Sequence, residues 1–125
     1  MPLIDHIEFA VTDAEASRRF YEQALAPLGV TLVISRDANG RTRHGFGRDG
    51  YPSLWIHDHG TPGDGHVAIQ ADSREAVNAF HQAALAAGGR DNGPPGIRSH
   101  YQANYYAAFV LDPDGFNVEA LYLGA

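Results

Sequence analysis

The chain has 125 residues, a net charge of −6 and no cysteine. That length supports one body with a sizeable core, and the missing thiols exclude a disulfide framework, a thiolate metal site and a cysteine nucleophile. Every one of the nine cations is an arginine, scattered along an acidic chain, which argues against the basic stripe of a nucleic-acid surface.

The opening stretch MPLIDHIEF has neither the basic start of a signal peptide nor an apolar run long enough to span a bilayer. A cytoplasmic protein without a membrane partner is expected. Residues 3–11 alternate as a strand, with Ile7, Phe9 and Val11 on one face and His6, Glu8 and Ala10 on the other. A helix follows. Thr12 and Glu15 have the T-x-x-E spacing of a capping box, Ala16, Phe20, Ala24 and Leu28 form a core-facing stripe, and Gly29 is placed to end it. Strands are expected over 29–36, 41–47 and 51–57, the first two joined through Asn39-Gly40, a strong hairpin signal.

After a glycine-rich loop at 59–65 the pattern begins again. A strand at 66–71 places Val67 and Ile69 on one face and His66, Ala68 and Gln70 on the other. Asp72 and Glu75 repeat the capping box, and a helix through Ala76, Val77, Phe80 and Ala84 runs to Gly88-Gly89. Residues 91–104 (DNGPPGIRSHYQAN) read as one long irregular stretch, of the kind that serves as a lid. Strands at 105–111 and 116–123 close the chain, joined by the turn Asp112-Pro113-Asp114-Gly115, and a poorly defined earlier strand is expected near Gly89–Asp91.

The two halves echo each other at an offset of sixty. His6 falls on His66, Glu15 on Glu75, Ala16 on Ala76, Phe20 on Phe80, Ala24-Leu25-Ala26 on Ala84-Leu85-Ala86, and Gly29 on Gly89. An internal period constrains the whole fold. The prediction is an α+β protein of two βαβββ modules, about 1–60 and 61–125, in a single domain, each laying one helix over a curved sheet. The faces away from the helices would then carry His6 and His66. Glu119 sits inside an apolar strand, where a carboxylate is costly unless paired or bound to a cation. Two imidazoles and a carboxylate suit Fe, Mn, Zn, Ni or Co, with positions left open for substrate. The competing reading leaves His6 and His66 as strand-end residues at a rim.

The run from His6 to Val11, the pair Phe20-Tyr21, His66 at the head of the second unit and LDPDGFNVE from Leu111 to Glu119 resemble the vicinal oxygen chelate superfamily. That superfamily includes glyoxalase I, extradiol dioxygenases, fosfomycin-resistance thiol transferases and bleomycin-binding proteins. The resemblance spans essentially the whole chain. It implies His6, His66 and Glu119 as ligands of a divalent metal, a small oxygen-rich substrate and a homodimer. It also implies a metal-dependent lyase, transferase or dioxygenase, with a non-catalytic drug- or metabolite-binding protein as the alternative. Glyoxalase I takes a fourth ligand, a carboxylate, from the last strand of the other module. Matching Gly50 to Gly115 sets Leu54 at that place, which counts against glyoxalase I activity.

Around this triad, Glu8, His100 and Tyr101 are candidates for proton handling. Arg98, Asn104, Tyr105, Tyr106, His44 and Phe46 are candidates to line the substrate cavity, with packing an equal or better reading for His44 and Phe46. His57-Asp58-His59 has metal-like spacing but falls in a polar loop and reads first as solvated residues. Trp55, between Leu54 and Ile56, reads as core or interface.

Overall fold

The computed structural model describes residues 3–124. The expected module appears twice. Strand β1 (Ile7–Ala10), helix α1 (Ala14–Leu25) and strands β2 (Thr31–Ala38), β3 (Arg41–Gly47) and β4 (Leu54–His57) make the first. Strand β5 (His66–Gln70), helix α2 (Arg74–Ala86) and strands β6 (Arg90–Ile97), β7 (Tyr106–Leu111) and β8 (Asn117–Tyr122) make the second. Each module is a four-stranded mixed sheet, ordered β1-β4-β3-β2 or β5-β8-β7-β6. The first strand runs parallel to the last, and the remaining pairs are antiparallel. Among the described residues no helix is long and apolar enough to cross a membrane.

Both helices start one residue later than the capping boxes suggest. Asp13, not Thr12, caps α1, its carboxylate accepting from the N–H groups of Glu15 and Ala16, both at 3.1 Å. Ser73, not Asp72, caps α2, its hydroxyl accepting from Ala76 N–H at 3.0 Å. Either side chain satisfies amides that the helix itself cannot. Thr12 N–H is instead donated to Asp114 of the second module at 3.0 Å. Past Leu25 the first helix tightens into a 3-10 turn, Ala26–Leu28, and ends on Gly29 in the left-handed region at φ 75°.

The largest difference from the sequence reading is the length of β6, expected only as a poorly defined strand near Gly89–Asp91. Residues 90–97 pair with β7 despite Pro94 and Pro95, so the irregular stretch shrinks to a hairpin over 98–105. β6 is an edge strand with register shifts near Gly93 and Gly96. Edges and bulges are where a sheet tolerates residues without an N–H.

One apolar core joins the modules. It contains Phe20, Tyr21, Leu25, Phe46 and Ile56 from the first and Val77, Phe80, Val110 and Val118 from the second. α1 packs on α2, and Phe9 stacks on Phe116 with ring centroids 4.1 Å apart. Gly89 lies at the closest approach. A β-carbon there would fall 2.6 Å from Val110 Cγ1 and 2.8 Å from Phe20 Cε1, so the echo of Gly29 at this point has a packing cause.

The buried polar link is Tyr21 to Asp112. The tyrosine hydroxyl donates to Asp112 Oδ2 at 2.6 Å, while Oδ1 accepts from Asp114 N–H at 2.8 Å and Phe116 N–H at 2.9 Å. Burial pushes the Asp112 carboxyl above its ordinary value, against the pull of these donors. Burial, followed by the facing carboxylate, pushes the Tyr21 hydroxyl well up. Removing one partner of a buried pair leaves the other unsatisfied. Tyr21→Phe is therefore expected to lower unfolding free energy by about 1–3 kcal/mol, read from urea denaturation; an unchanged midpoint and slope would show that the bond does not join the modules.

Candidate functional site

The helix-free face of the second sheet is set by the pairing register. Glu119 lies between Ala68 on β5 and Phe109 on β7, with Asn117 and Leu121 on the same face. Val118 and Ala120 point to the helix side and enter the core. Glu119 is 2% exposed. Its Oε1 lies 2.8 Å from His66 Nε2, and its Oε2 accepts from the Tyr105 hydroxyl. His66 is fixed from its other side, Nδ1 lying 3.2 Å from the Asn117 carbonyl oxygen. Burial, then the hydrogen bond to Glu119, raises the Tyr105 hydroxyl pKa, so it stays a donor.

The 98–105 hairpin reaches this pair through Tyr105. Arg98 donates to the carbonyls of Gly96 at 2.9 Å and Pro94 at 2.7 Å, and its guanidinium lies 5.3 Å from the Phe109 ring centroid. Tyr101 meets Tyr105 edge-on at 4.9 Å, and His100 lies 4.3 Å from Tyr101. His100, Tyr101 and Asn104 are exposed at its tip. Arg98, His100, Tyr101, Asn104 and Tyr105 thus share one hairpin beside His66 and Glu119.

Other candidates lie elsewhere. His6 stands just before β1, half exposed, with Nδ1 2.8 Å from Asp5 Oδ1. Asp5 in turn accepts from the Tyr51 hydroxyl at 2.7 Å. Within one chain His6 is not grouped with His66 and Glu119. Among the described residues the group of three donors close enough to share an ion is Glu8, His57 and His59. His44 and Phe46 share a face with Ile56 and Leu54, which carry the core beneath α1, so they do not line the helix-free face. Tyr106 also points to the helix side, donating to Asn78 of α2 at 2.6 Å beneath the Arg74 guanidinium. The reason is parity: a single residue's shift along a strand reverses the face.

Parity also corrects the match between modules. Glu8 pairs with Trp55 as Ala68 pairs with Glu119, and Glu8 and Ala68 are equivalent by the sixty-residue offset. Trp55, not Leu54, therefore holds the place of Glu119. Neither side chain is a metal ligand, so the asymmetry between modules stands. Around Trp55 the first sheet is polar. Arg43 lies 4.3 Å over the indole and donates to both oxygens of Glu8 at 3.0 Å. His57 Nδ1 is 2.8 Å from Glu8 Oε2. Hydrogen bonding from Arg43 holds the Glu8 carboxyl below its ordinary value, which makes it a weak proton acceptor.

Residues 3–120 match the model of the Glyoxalase/Bleomycin resistance protein/Dioxygenase superfamily, and the chain belongs to that superfamily. Among solved structures, a glyoxalase/bleomycin resistance protein from Albidiferax ferrireducens T118 is 29% identical, with a TM-score of 0.78 over 97% of this chain and 99% of that one. A glyoxylase/bleomycin resistance protein/dioxygenase domain from Frankia sp. EAN1pec shares the fold at 15% identity and TM-score 0.75, over 99% of both chains. Glyoxalase I from Zea mays shares it at 21% identity and TM-score 0.75, over 98% of this chain but 44% of that one. No curated protein gives a significant match.

His44, buried beside α1, offers a measurable consequence. Its Nδ1 is 2.7 Å from Ser35 Oγ. Its buried Nε2 makes no hydrogen bond and lies 3.5 Å from Glu15 Oε1. Burial pushes the imidazole below 6.5, with Glu15 pulling the other way. A histidine harder to protonate when folded costs stability as pH falls below its unfolded value. Stability is therefore expected to drop as pH is lowered from neutral through the range below 6.5. His44→Gln should flatten that slope in denaturant titrations; an identical slope would refute the assignment.

Proposed function

We propose that the chain is a metal-dependent enzyme acting on a small oxygen-rich substrate that chelates a divalent ion. The observation that carries this reading is Glu119, a 2%-exposed carboxylate in an apolar strand, aimed at an imidazole 2.8 Å away. Charge buried this way calls for a cation, and the donor set suits Zn, Mn, Fe, Ni or Co. His66 and Glu119 would hold the ion and His6 would complete the set. In one chain His6 is turned to Asp5, so we assign that third position to a second copy, which makes a cytoplasmic homodimer the working assembly.

A bound divalent ion would supply Lewis-acid polarisation of the substrate's oxygens. The chain's own groups do the rest. Tyr105 orients Glu119 through its hydroxyl, as a hydrogen-bonding partner does for a ligating carboxylate. Arg98, fixed over Phe109, presents positive charge to an anionic group of the substrate, with Asn104 beside it. His100 or Tyr101 at the hairpin tip handles protons. Glu8, held ionised by Arg43, serves orientation rather than proton abstraction. Trp55 in place of a fourth, carboxylate ligand directs the proposal to lyase, transferase or dioxygenase chemistry rather than to glyoxalase I.

A second reading, a small-molecule-binding protein without turnover, is favoured by one observation. Both oxygens of Glu119 are already satisfied, by His66 and Tyr105, without an ion. Metal analysis of protein as purified and after loading with Fe, Mn, Ni, Co or Zn separates the two. The enzyme reading expects Glu119→Ala and His66→Ala each to bind one ion per chain fewer than wild type and to lose turnover. Unchanged uptake in both variants, with ligand-induced thermal stabilisation insensitive to chelator, would favour the binding protein.

A further inference from the structure

We infer that Glu8, His57 and His59 form a second transition-metal site, at the end of β4 and independent of the His66–Glu119 pair. One ligand atom from each residue lies within 4.8 Å of the other two. Donors around a tetrahedral zinc at ~2.0–2.1 Å stand about 3.3 Å apart, so the cluster needs only a small closure. His57 Nδ1 and Glu8 Oε2 are already 2.8 Å apart and would open slightly to admit an ion. The imidazoles of His57 and His59 lie on the same side of the turn, stacked at 4.0 Å with 28° between their planes. Since an imidazole's lone pair lies in its ring plane, the exposed His59 ring would turn out of the stack to share an ion.

Three features make this more than a surface cluster. Glu8 has two oxygens, and Arg43 can keep its bond to Oε1 through Nη2 at 3.0 Å while Oε2 ligates. A hydrogen bond of that kind orients a ligating carboxylate, and Arg43 is itself seated over Trp55 at 4.3 Å. Gly60 keeps the slot beside His57 open, since a β-carbon there would fall 3.2 Å from Nε2 and 3.3 Å from Ala10 Cβ. His57 is also fixed by backbone structure. It pairs with Ala10 and Arg43 in the sheet, and its carbonyl accepts from Val11 N–H at 2.8 Å.

Two imidazoles and one carboxylate select Zn(II), Ni(II) or Cu(II) over Mg(II) or Ca(II), which want oxygen ligands. The positive charge of Arg43 lowers affinity for any cation, which sets this ion apart as the weaker and more exchangeable of the two.

Zn(II) titrated calorimetrically into full-length chelator-stripped protein tests the site. His59→Ala and Glu8→Gln should each bind one ion per chain fewer than wild type, or bind it at least tenfold more weakly, while Glu119→Gln keeps this ion. Mg(II) should give no heat. In wild type, substoichiometric Cu(II) should broaden the NMR ring signals of His57 and His59. His59 is exposed, so its variant tests binding rather than folding. Wild-type Zn(II) stoichiometry and affinity in both His59→Ala and Glu8→Gln would overturn the proposal. Loss of an ion in those two, with none lost in Glu119→Gln, would uphold it and count instead against the His66–Glu119 metal site.

Discussion

The arrangement of this chain turns on a buried hydrogen bond between Tyr21 and Asp112. Neither module buries its sheet alone, because the core that covers the helix side of each sheet draws residues from both. The bond sets the first helix against the turn that feeds the last strand, and the core closes around it with Phe20, Phe80 and Val110. Asp112 also holds its own turn, accepting from two backbone amides. A single carboxylate thus fixes both the relation of the modules and the start of β8, and β8 carries Glu119. The position of the proposed ligand is inherited from a packing contact on the opposite side of the sheet.

That inheritance explains how two similar modules came to differ in chemistry. Their helix sides meet and must remain apolar, so Leu54 and Val118 take equivalent places in the core. Their free sides are released from that demand. There the second module sets His66, Glu119 and Tyr105 together, whereas the first sets Trp55 at the equivalent strand position and Glu8 among Arg43, His57 and His59. A buried carboxylate held by an imidazole and a tyrosine hydroxyl and a carboxylate held by Arg43 and His57 are different instruments. At Glu119 an arriving cation would meet an imidazole and a hydroxyl; at Glu8 it would meet a carboxylate already paired with a guanidinium.

Much of this was legible in the residues. The echo between 6–29 and 66–89 gave both modules and the equivalence of His6 with His66, because helical and strand periods survive in sequence. Glu119 stood out because a charge inside Asn117-Val118-Ala120-Leu121 demands an explanation. What failed to show were facts of register and edge. The helix caps lie at Asp13 and Ser73, one residue beyond the T-x-x-E and D-x-x-E patterns, because several cap-competent residues adjoin there. The continuation of β6 beyond Asp91 was hidden by Pro94 and Pro95, which exclude a central strand but not an edge. His44, Phe46 and Tyr106 face the helices, and Trp55 rather than Leu54 matches Glu119. Each of these depends on which strand partner sits opposite, which no local pattern records. The joining of Tyr21 to Asp112 left no local signal at all, though both belong to motifs that carry the family resemblance.

The proposed site is complete only when His6 from one copy meets His66 and Glu119 from another. Subunit mixing tests it directly. In a His59→Ala background, chains carrying His6→Ala and chains carrying Glu119→Ala should each bind a divalent ion poorly by themselves. Mixed under conditions that exchange subunits, they should regain tight binding in proportion to the heterodimer seen by native mass spectrometry. Heterodimers that form without any recovery of binding would contradict the account.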